Sequence, residues 1–171
     1  MDKKIILIVI IVLAAILAIS IFINNSNNQE SIMKYMDEKV VFKENGEIIS
    51  TLTMEDIIDF GKVDFEVIKD TSNTDPTPYT YSGILLNDLL KEIDIELTKY
   101  EVVVCSAVDG FASAISMDKV MEDDNVYLAY EVDGKPLGTK EDRGEGPFMI
   151  IISKDQFAQN WCKYLIEVDL Q

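Results

Sequence analysis

Residues 5–23 limit how this chain can fold, because they form an unbroken apolar run. The run is nineteen residues long, and Ser20 is its only polar member. A helix needs about 20 apolar residues to cross about 30 Å of hydrocarbon. A run that has no polar face is also unsuited to packing as an amphipathic helix on a soluble core. The sequence therefore predicts one transmembrane helix over residues 5–23.

The charges that flank this run predict its orientation. Lys3 and Lys4 precede it, whereas residues 24–30 carry no positive charge. Because positive residues favour the cytoplasmic side, residues 1–4 are expected in the cytoplasm and the rest of the chain outside it. The alternative is a cleaved signal peptide, whose apolar core is usually about 7 to 15 residues long and ends at a small-x-small site. The longer run here favours a retained signal-anchor.

The remaining sequence predicts a polar stalk over residues 24–36 and one domain over residues 37–171. Without Lys3, Lys4 and Asp2, which precede the apolar run, the chain has thirteen basic and thirty acidic residues. Arg143 is its only arginine. Nucleic-acid partners are not expected, because binding phosphates requires clustered basic residues. A solvated acidic surface is the favoured interpretation, and an electrostatic docking site is the alternative.

The histidine and cysteine content limits the chemistry that is open to the chain. There is no histidine, and Cys105 and Cys162 are the only cysteines. Nucleophile pairs and zinc sites that depend on histidine are therefore excluded. Both cysteines lie in apolar segments, which favours buried free thiols over a disulfide. No catalytic residue and no metal ligand is predicted.

Turn, cap and periodicity signals predict the order of elements in the domain. Asn45-Gly46 predicts a hairpin turn, and Thr53 is a good N-cap for a helix over residues 54–60. The other expected elements are a strand over residues 63–68, a loop over residues 70–78, an amphipathic helix over residues 84–95, and strands over residues 101–108, 126–132, 147–153 and 161–170. The apolar runs at 101–108 and 147–153 predict strands that are buried on both faces. Strands mixed with a few helices and without βαβ periodicity predict an α+β domain with a mixed β-sheet.

Several short stretches occur in the order and spacing typical of one known family. They are residues 81–90 (YSGILLNDLL), 108–111 (VDGF), 128–137 (LAYEVDGKPL), 146–151 (GPFMII) and 161–165 (WCKYL). The order of elements over residues 51–170, within which these stretches lie, resembles the molybdopterin-binding domain of the sulfite oxidase family. The resemblance implies the fold of that domain, an oxidoreductase activity and a molybdopterin cofactor.

In members of that family a cysteine thiolate binds the molybdenum, usually from the loop before the Tyr-x-Gly segment. The corresponding residues 70–78 contain no cysteine and offer Thr71 and Ser72, and a hydroxyl is a poor substitute for a soft thiolate ligand. Met149 stands where the family tends to have an arginine. Lys163 matches a basic residue of the family's closing strand.

The resemblance brings together a set of candidate ligand- or cofactor-binding residues. They are Thr71, Ser72, Asp109, Gly110, Phe111, Arg143, Gly146 and Lys163. Two functions are consistent with this set. One is a non-catalytic module that binds a small ligand or a cell-surface protein at the outer face of the membrane. The other is a molybdopterin-dependent oxidoreductase that passes electrons there.

Overall fold

The computed structural model describes residues 3–71 and 74–171. The chain folds into two compact units, Met1–Lys34 and Tyr35–Gln171. The first contains helix α1 (Lys3–Met33), whose described apolar side chains between Ile6 and Ile21 are exposed. Among the described residues, no helix is both long enough and apolar enough to cross a membrane. The predicted transmembrane helix over residues 5–23 is therefore not supported by the structure.

Strands dominate the second unit, and its helices are short. The strands are β1 (Lys39–Glu44), β2 (Glu47–Thr53), β3 (Val63–Thr71), β4 (Thr74–Leu85), β5 (Val102–Ala107), β6 (Ala112–Ser116), β7 (Val126–Val132), β8 (Lys135–Pro136), β9 (Met149–Ile152) and β10 (Leu165–Leu170). The α-helices are α2 (Met54–Asp59), α3 (Leu86–Glu92) and α4 (Met117–Met121), and 3₁₀ turns occupy Leu97–Lys99 and Ala158–Asn160.

The strands form two sheets of five strands each. The first has the order β2-β1-β10-β5-β6, and the second has the order β3-β4-β7-β8 with β9 also paired to β7. β1 and β10 run parallel, whereas β10 and β5 run antiparallel. The prediction of a mixed sheet is thus confirmed, although the strands are divided between two sheets.

The opening hairpin and its following helix agree with the local sequence signals. Asn45 and Gly46 have φ angles of 49° and 85° between β1 and β2. Thr53 caps α2 in a capping box with Asp56, in which each side chain bonds the other residue's backbone N–H. Both features follow from the conformational and capping preferences of a few neighbouring residues, which is why they can be predicted from the sequence alone.

The prediction of a loop over residues 70–78 is wrong. β3 continues to Thr71 and β4 begins at Thr74, and the two strands pair as a long hairpin that includes Pro78. In the sequence, Pro76 and Pro78 indicated a loop, because a proline cannot donate a backbone hydrogen bond to a neighbouring strand. The described pairing of β4 with β7 begins at Tyr81. The outer half of β4 is therefore a sheet edge, where proline is tolerated.

The predicted helix over residues 84–95 is shorter than expected at both ends. Ile84 and Leu85 belong to β4, where Leu85 pairs with Tyr127 of β7. At the other end Asp94 has a φ of 61°, a left-handed conformation that does not continue an α-helix. Helix α3 therefore covers two turns, and pairing with a neighbouring strand overrides the helical periodicity of the first two residues.

The two apolar strands predicted to be buried on both faces differ from each other. β9 is buried at every position, as predicted. β5 instead alternates, with Val103, Cys105 and Ala107 buried and the residues between them half-buried. An apolar run therefore did not distinguish a strand covered on both faces from a strand covered on one.

A short segment connects the two sheets and places the C-terminal candidate residue. Cys162 forms an isolated bridge with Ile150 of β9, and three residues later Leu165 begins β10 in the other sheet. Trp161 is buried, and its indole N–H donates to the carbonyl of Ile152 at 3.2 Å. Lys163 therefore lies on a segment fixed by both sheets.

Candidate functional site

The end of β3, the turn at residues 157–159 and Lys163 line a cleft of about 520 Å³. Thr71 and Lys163 are both in its wall, so two residues distant in sequence are brought together. The described residues of the wall are Asp70, Thr71, Phe157, Ala158, Gln159 and Lys163. A cleft of this size with a few polar groups is typical of small-molecule sites.

A smaller cavity of about 230 Å³ shares Thr71 and Lys163 with this cleft. Its other lining residues are Lys69, Thr77, Tyr79 and Glu145. Lys69, Thr71, Thr77 and Tyr79 all project from the hairpin, whereas Glu145 and Lys163 belong to the body of the domain. Thr71 and Lys163 therefore mark the junction of two adjoining cavities between hairpin and body.

Glu145 joins the two sides of this junction through two ion pairs. Lys163 Nζ lies 2.6 Å from Glu145 Oε1, and Lys69 Nζ binds the same carboxylate oxygen. Lys69 also lies 5.6 Å from the centre of the Tyr79 ring, within the range of a cation–π contact. One carboxylate thus neutralises part of the charge of both ammonium groups.

Burial and ion pairing act in opposite directions on Glu145. Burial on its own raises the pKa of this carboxyl, but the hydrogen bonds and charges of Lys163 and Lys69 outweigh it, and the pKa is lowered. Glu145 is therefore ionised at neutral pH. Burial of the Tyr81 phenol raises its pKa most, and the negative charge of Glu145 raises it further. The Tyr81 hydroxyl is buried without a hydrogen-bond partner among the described residues.

The loop before β9 holds Glu145 against Lys163 through backbone hydrogen bonds. Glu145 N–H donates to Leu137 at 3.1 Å, and Tyr164 N–H donates to the Glu145 carbonyl at 2.9 Å. Gly146 has a φ of 112°, and a Cβ at this position would lie 2.5 Å from the Tyr164 nitrogen. Gly146, a predicted site residue, is therefore explained by close packing of the backbone.

Sequence reasoning missed Glu145 as a member of the site. The candidate list included its neighbour Gly146 and the nearby Arg143, but Arg143 is exposed and is not among the residues that line the two cavities. The signal in the sequence was a single acidic residue between two glycines. Its importance depends on Lys69 and Lys163, which are remote in sequence, so that signal was too weak to find it.

The turn of Asp109, Gly110 and Phe111 does not lie in the wall of this cleft. Asp109 lines a different cavity of about 360 Å³, together with Lys140. Its carboxylate accepts a hydrogen bond from the Phe111 backbone N–H at 3.1 Å, and Gly110 has a φ of 88°. These contacts explain the turn structurally. The remaining candidate, Ser72, lies outside the described residues.

Both cysteines are buried and free, as the sequence predicted. The Cys162 thiol donates to the Cys105 carbonyl at 3.5 Å. Burial raises the pKa of Cys162 to about 12 and also raises the pKa of Cys105. Both side chains are therefore thiols at neutral pH, and neither lines the cleft or the smaller cavity.

Comparison with known proteins tests the resemblance drawn from the sequence. The family model for the oxidoreductase molybdopterin binding domain matches residues 51–171. The chain belongs to this family. No curated protein matches the chain. Among solved structures, the sulfane dehydrogenase SoxCD from Paracoccus pantotrophus is similar, with a TM-score of 0.64 and 16% identity over 80% of this chain.

The likeness to SoxCD concerns the fold alone, because the identity is low. This chain covers 38% of the SoxCD chain. Membership of the molybdopterin-binding family and the structural likeness together agree with the two-sheet architecture described above. The resemblance stated from the sequence is thereby confirmed.

The described residues that line the cleft and the smaller cavity include no thiol that could hold a molybdenum ion. Cys105 and Cys162 are both buried and protonated, and they lie away from the two cavities. Within the described residues, no group of three cysteine or acidic side chains is placed to hold a metal ion. Glu145 balances part of the charge of the two lysines beside the cleft, so they offer a pterin phosphate less positive charge than two unpaired lysines would.

Proposed function

We propose that this chain is a non-catalytic member of the molybdopterin-binding family that binds a small ligand in the cleft between Thr71 and Lys163. The observation that carries the proposal is the Lys69–Glu145–Lys163 arrangement, in which an internal carboxylate balances part of the positive charge that a pterin phosphate would need. Thiols that remain buried and protonated add support, because a thiol must ionise to bind a metal. On this proposal the molybdenum-binding thiolate is absent.

The second candidate is a molybdopterin-dependent oxidoreductase that transfers electrons at the cell surface. It is favoured by the family match over residues 51–171. For this candidate, the cofactor would need to bind beside the Glu145 carboxylate and hold its metal without Cys105 or Cys162. A cell-surface protein that covers the exposed Phe157 is the alternative occupant of the same cleft.

Metal analysis distinguishes the first two candidates. We expect the full chain, produced in a host that makes molybdopterin, to carry molybdenum and tungsten only at trace stoichiometry by elemental mass spectrometry. A known family member expressed in parallel provides the positive control. Near one molybdenum or tungsten per chain, or a pterin released on denaturation, would refute the non-catalytic proposal.

We further propose that residues 5–23 hold the domain at the outer face of a membrane. The support is the sequence, since no helix of the described residues qualifies as a span. The run contains Ser20 as its only polar residue and follows Lys3 and Lys4. Its described side chains between Ile6 and Ile21 are exposed, and a helix whose sequence is apolar on all sides requires an apolar surrounding.

Membrane extraction tests this attachment. We expect the native protein to remain in the membrane pellet after a carbonate wash, to dissolve in detergent, and to keep its full-length mass. A variant that begins at Tyr35 should be released. Externally added protease should degrade the domain in intact cells. A soluble native protein shortened by the whole apolar run would overturn the anchor in favour of a signal peptide.

A further inference from the structure

The wall of the larger cleft offers opposite charges and an apolar surface. Asp70 contributes a half-buried carboxylate and Lys163 an ammonium group, and Gln159 adds an amide. Phe157 is 46% exposed and lies in the same wall. Formal charges balance across the two adjoining cavities, because Lys69 and Lys163 are matched by Asp70 and Glu145. A net anion or a net cation would disturb this balance.

The two charged groups of the cleft have capacity to bind a ligand. The side chain of Lys163 is 41% exposed, and Glu145 accepts from its ammonium group at 2.6 Å. An ammonium has three donors, so others remain for a ligand. The side chain of Asp70 has neither an ion pair nor a hydrogen bond among the residues that the structure describes.

We propose that the cleft binds a small zwitterion with an apolar body, of which an apolar or aromatic amino acid is the simplest form. Lys163 binds the carboxylate, Asp70 binds the ammonium group, and the apolar body packs on Phe157. A zwitterion leaves the charge balance unchanged, and its two charges match the two charges of the wall. This inference rests on the proposed ligand-binding function and names the class of ligand.

The apolar contact supplies affinity, and the charged contacts supply selectivity. The attraction between half-exposed charges alone contributes less than about fivefold, and the hydrogen bond made within each charged contact raises its contribution to on the order of tenfold. We therefore expect weak binding, with a Kd in the high micromolar range. Loss of either charged group from the ligand should weaken binding about tenfold.

Calorimetric titration of the full chain in detergent tests the ligand class, with L-phenylalanine as the probe. Three matched compounds separate the contacts: N-acetyl-L-phenylalanine lacks the ammonium group, L-phenylalanine amide lacks the carboxylate, and L-alanine lacks the ring. We expect L-phenylalanine to bind about tenfold more tightly than each of them. Equal binding of N-acetyl-L-phenylalanine would assign an anion site instead and overturn the proposal.

Two variants assign the contacts to residues. Asp70→Asn should weaken L-phenylalanine binding and leave N-acetyl-L-phenylalanine unchanged, whereas Lys163→Gln should weaken both. Lys99→Gln is the matched control, because Lys99 is an exposed lysine that pairs with Glu96 at 2.8 Å on a different part of the surface. Thermal unfolding of each variant confirms that it folds, and Lys69 still pairs with Glu145 when Lys163 is replaced.

The outcomes separate this inference from the proposed function. If the protein carries no molybdenum and does not bind L-phenylalanine, the proposed ligand class is wrong and the proposed function stands. Chains that carry molybdenum near one per molecule would overturn the proposed function, whatever the titration shows. If L-phenylalanine binds equally well to Asp70→Asn and to Lys163→Gln, its binding site is not this cleft.

Discussion

Replacing Gly83 by alanine is expected to lower the free energy of unfolding by about 3 kcal/mol, at the upper end of overpacking effects. A Cβ at this position would lie 2.2 Å from the Leu128 carbonyl oxygen and 2.7 Å from the Ala129 Cα. Both are backbone atoms of β7, so a side-chain rotation cannot relieve the clash. The strands would have to separate where the register of β4 against β7 shifts, between Ser82 and Gly83.

Gly46→Ala is the control for this prediction. Gly46 has a φ of 85°, and a Cβ there would have no atom within 4 Å. The substitution therefore adds backbone strain of about 1 kcal/mol without a steric clash. Chemical denaturation of both variants measures the difference. If Gly83→Ala were no less stable than Gly46→Ala, the close approach of β4 and β7 would be wrong.

The glycine of the Tyr-x-Gly stretch illustrates what a family motif can encode. In the sequence this stretch carried the resemblance to the molybdopterin-binding family, and Gly83 itself indicated a corner between a strand and a helix. In the structure Gly83 is required because β7 passes too close to β4 for any Cβ. Tyr81, two residues earlier, is buried and stacks edge-on against Trp161 at 6.1 Å between ring centres. The motif thus specifies packing that can persist after a binding function changes.

Local features of the fold could be predicted because their causes lie within a few residues. The Asn45-Gly46 turn and the Thr53 cap are of this kind. The hairpin over residues 63–85 was partly missed because its prolines are tolerated only at a sheet edge, and edge position is a property of the whole sheet. The short α3 was missed for a related reason, since β7 pairs with residues that have helical periodicity.

The candidate site was harder to predict than the fold. Thr71 and Lys163 share a cleft, and the family resemblance was the reason to place them together. Asp109 was expected beside them but lines another cavity. Glu145 was overlooked because an acidic residue in an acidic chain carries no individual signal. Its role follows from two lysines that approach it from the hairpin and from the segment between the sheets.

Replacing Glu145 by alanine is expected to lower the free energy of unfolding by about 2 kcal/mol, less than for a fully buried pair because Lys163 is partly exposed. The substitution would leave the ammonium groups of Lys69 and Lys163 close together without their shared carboxylate. The side chain of Lys69 is 15% exposed, so water screens it poorly. Glu66→Ala, an exposed position on β3, is the control and should change stability little.

The pH dependence of this effect provides an independent test. The pKa of Glu145 is lower in the folded protein than its ordinary value of 4.5, so its contribution is fully present above that ordinary value. As the pH falls through the folded-state pKa, the carboxylate is protonated and the contribution is lost. The stability difference between the native chain and Glu145→Gln should therefore shrink on acidification from pH 7 to below pH 4. A difference that stays constant over this range would show that the two lysines do not stabilise the Glu145 charge.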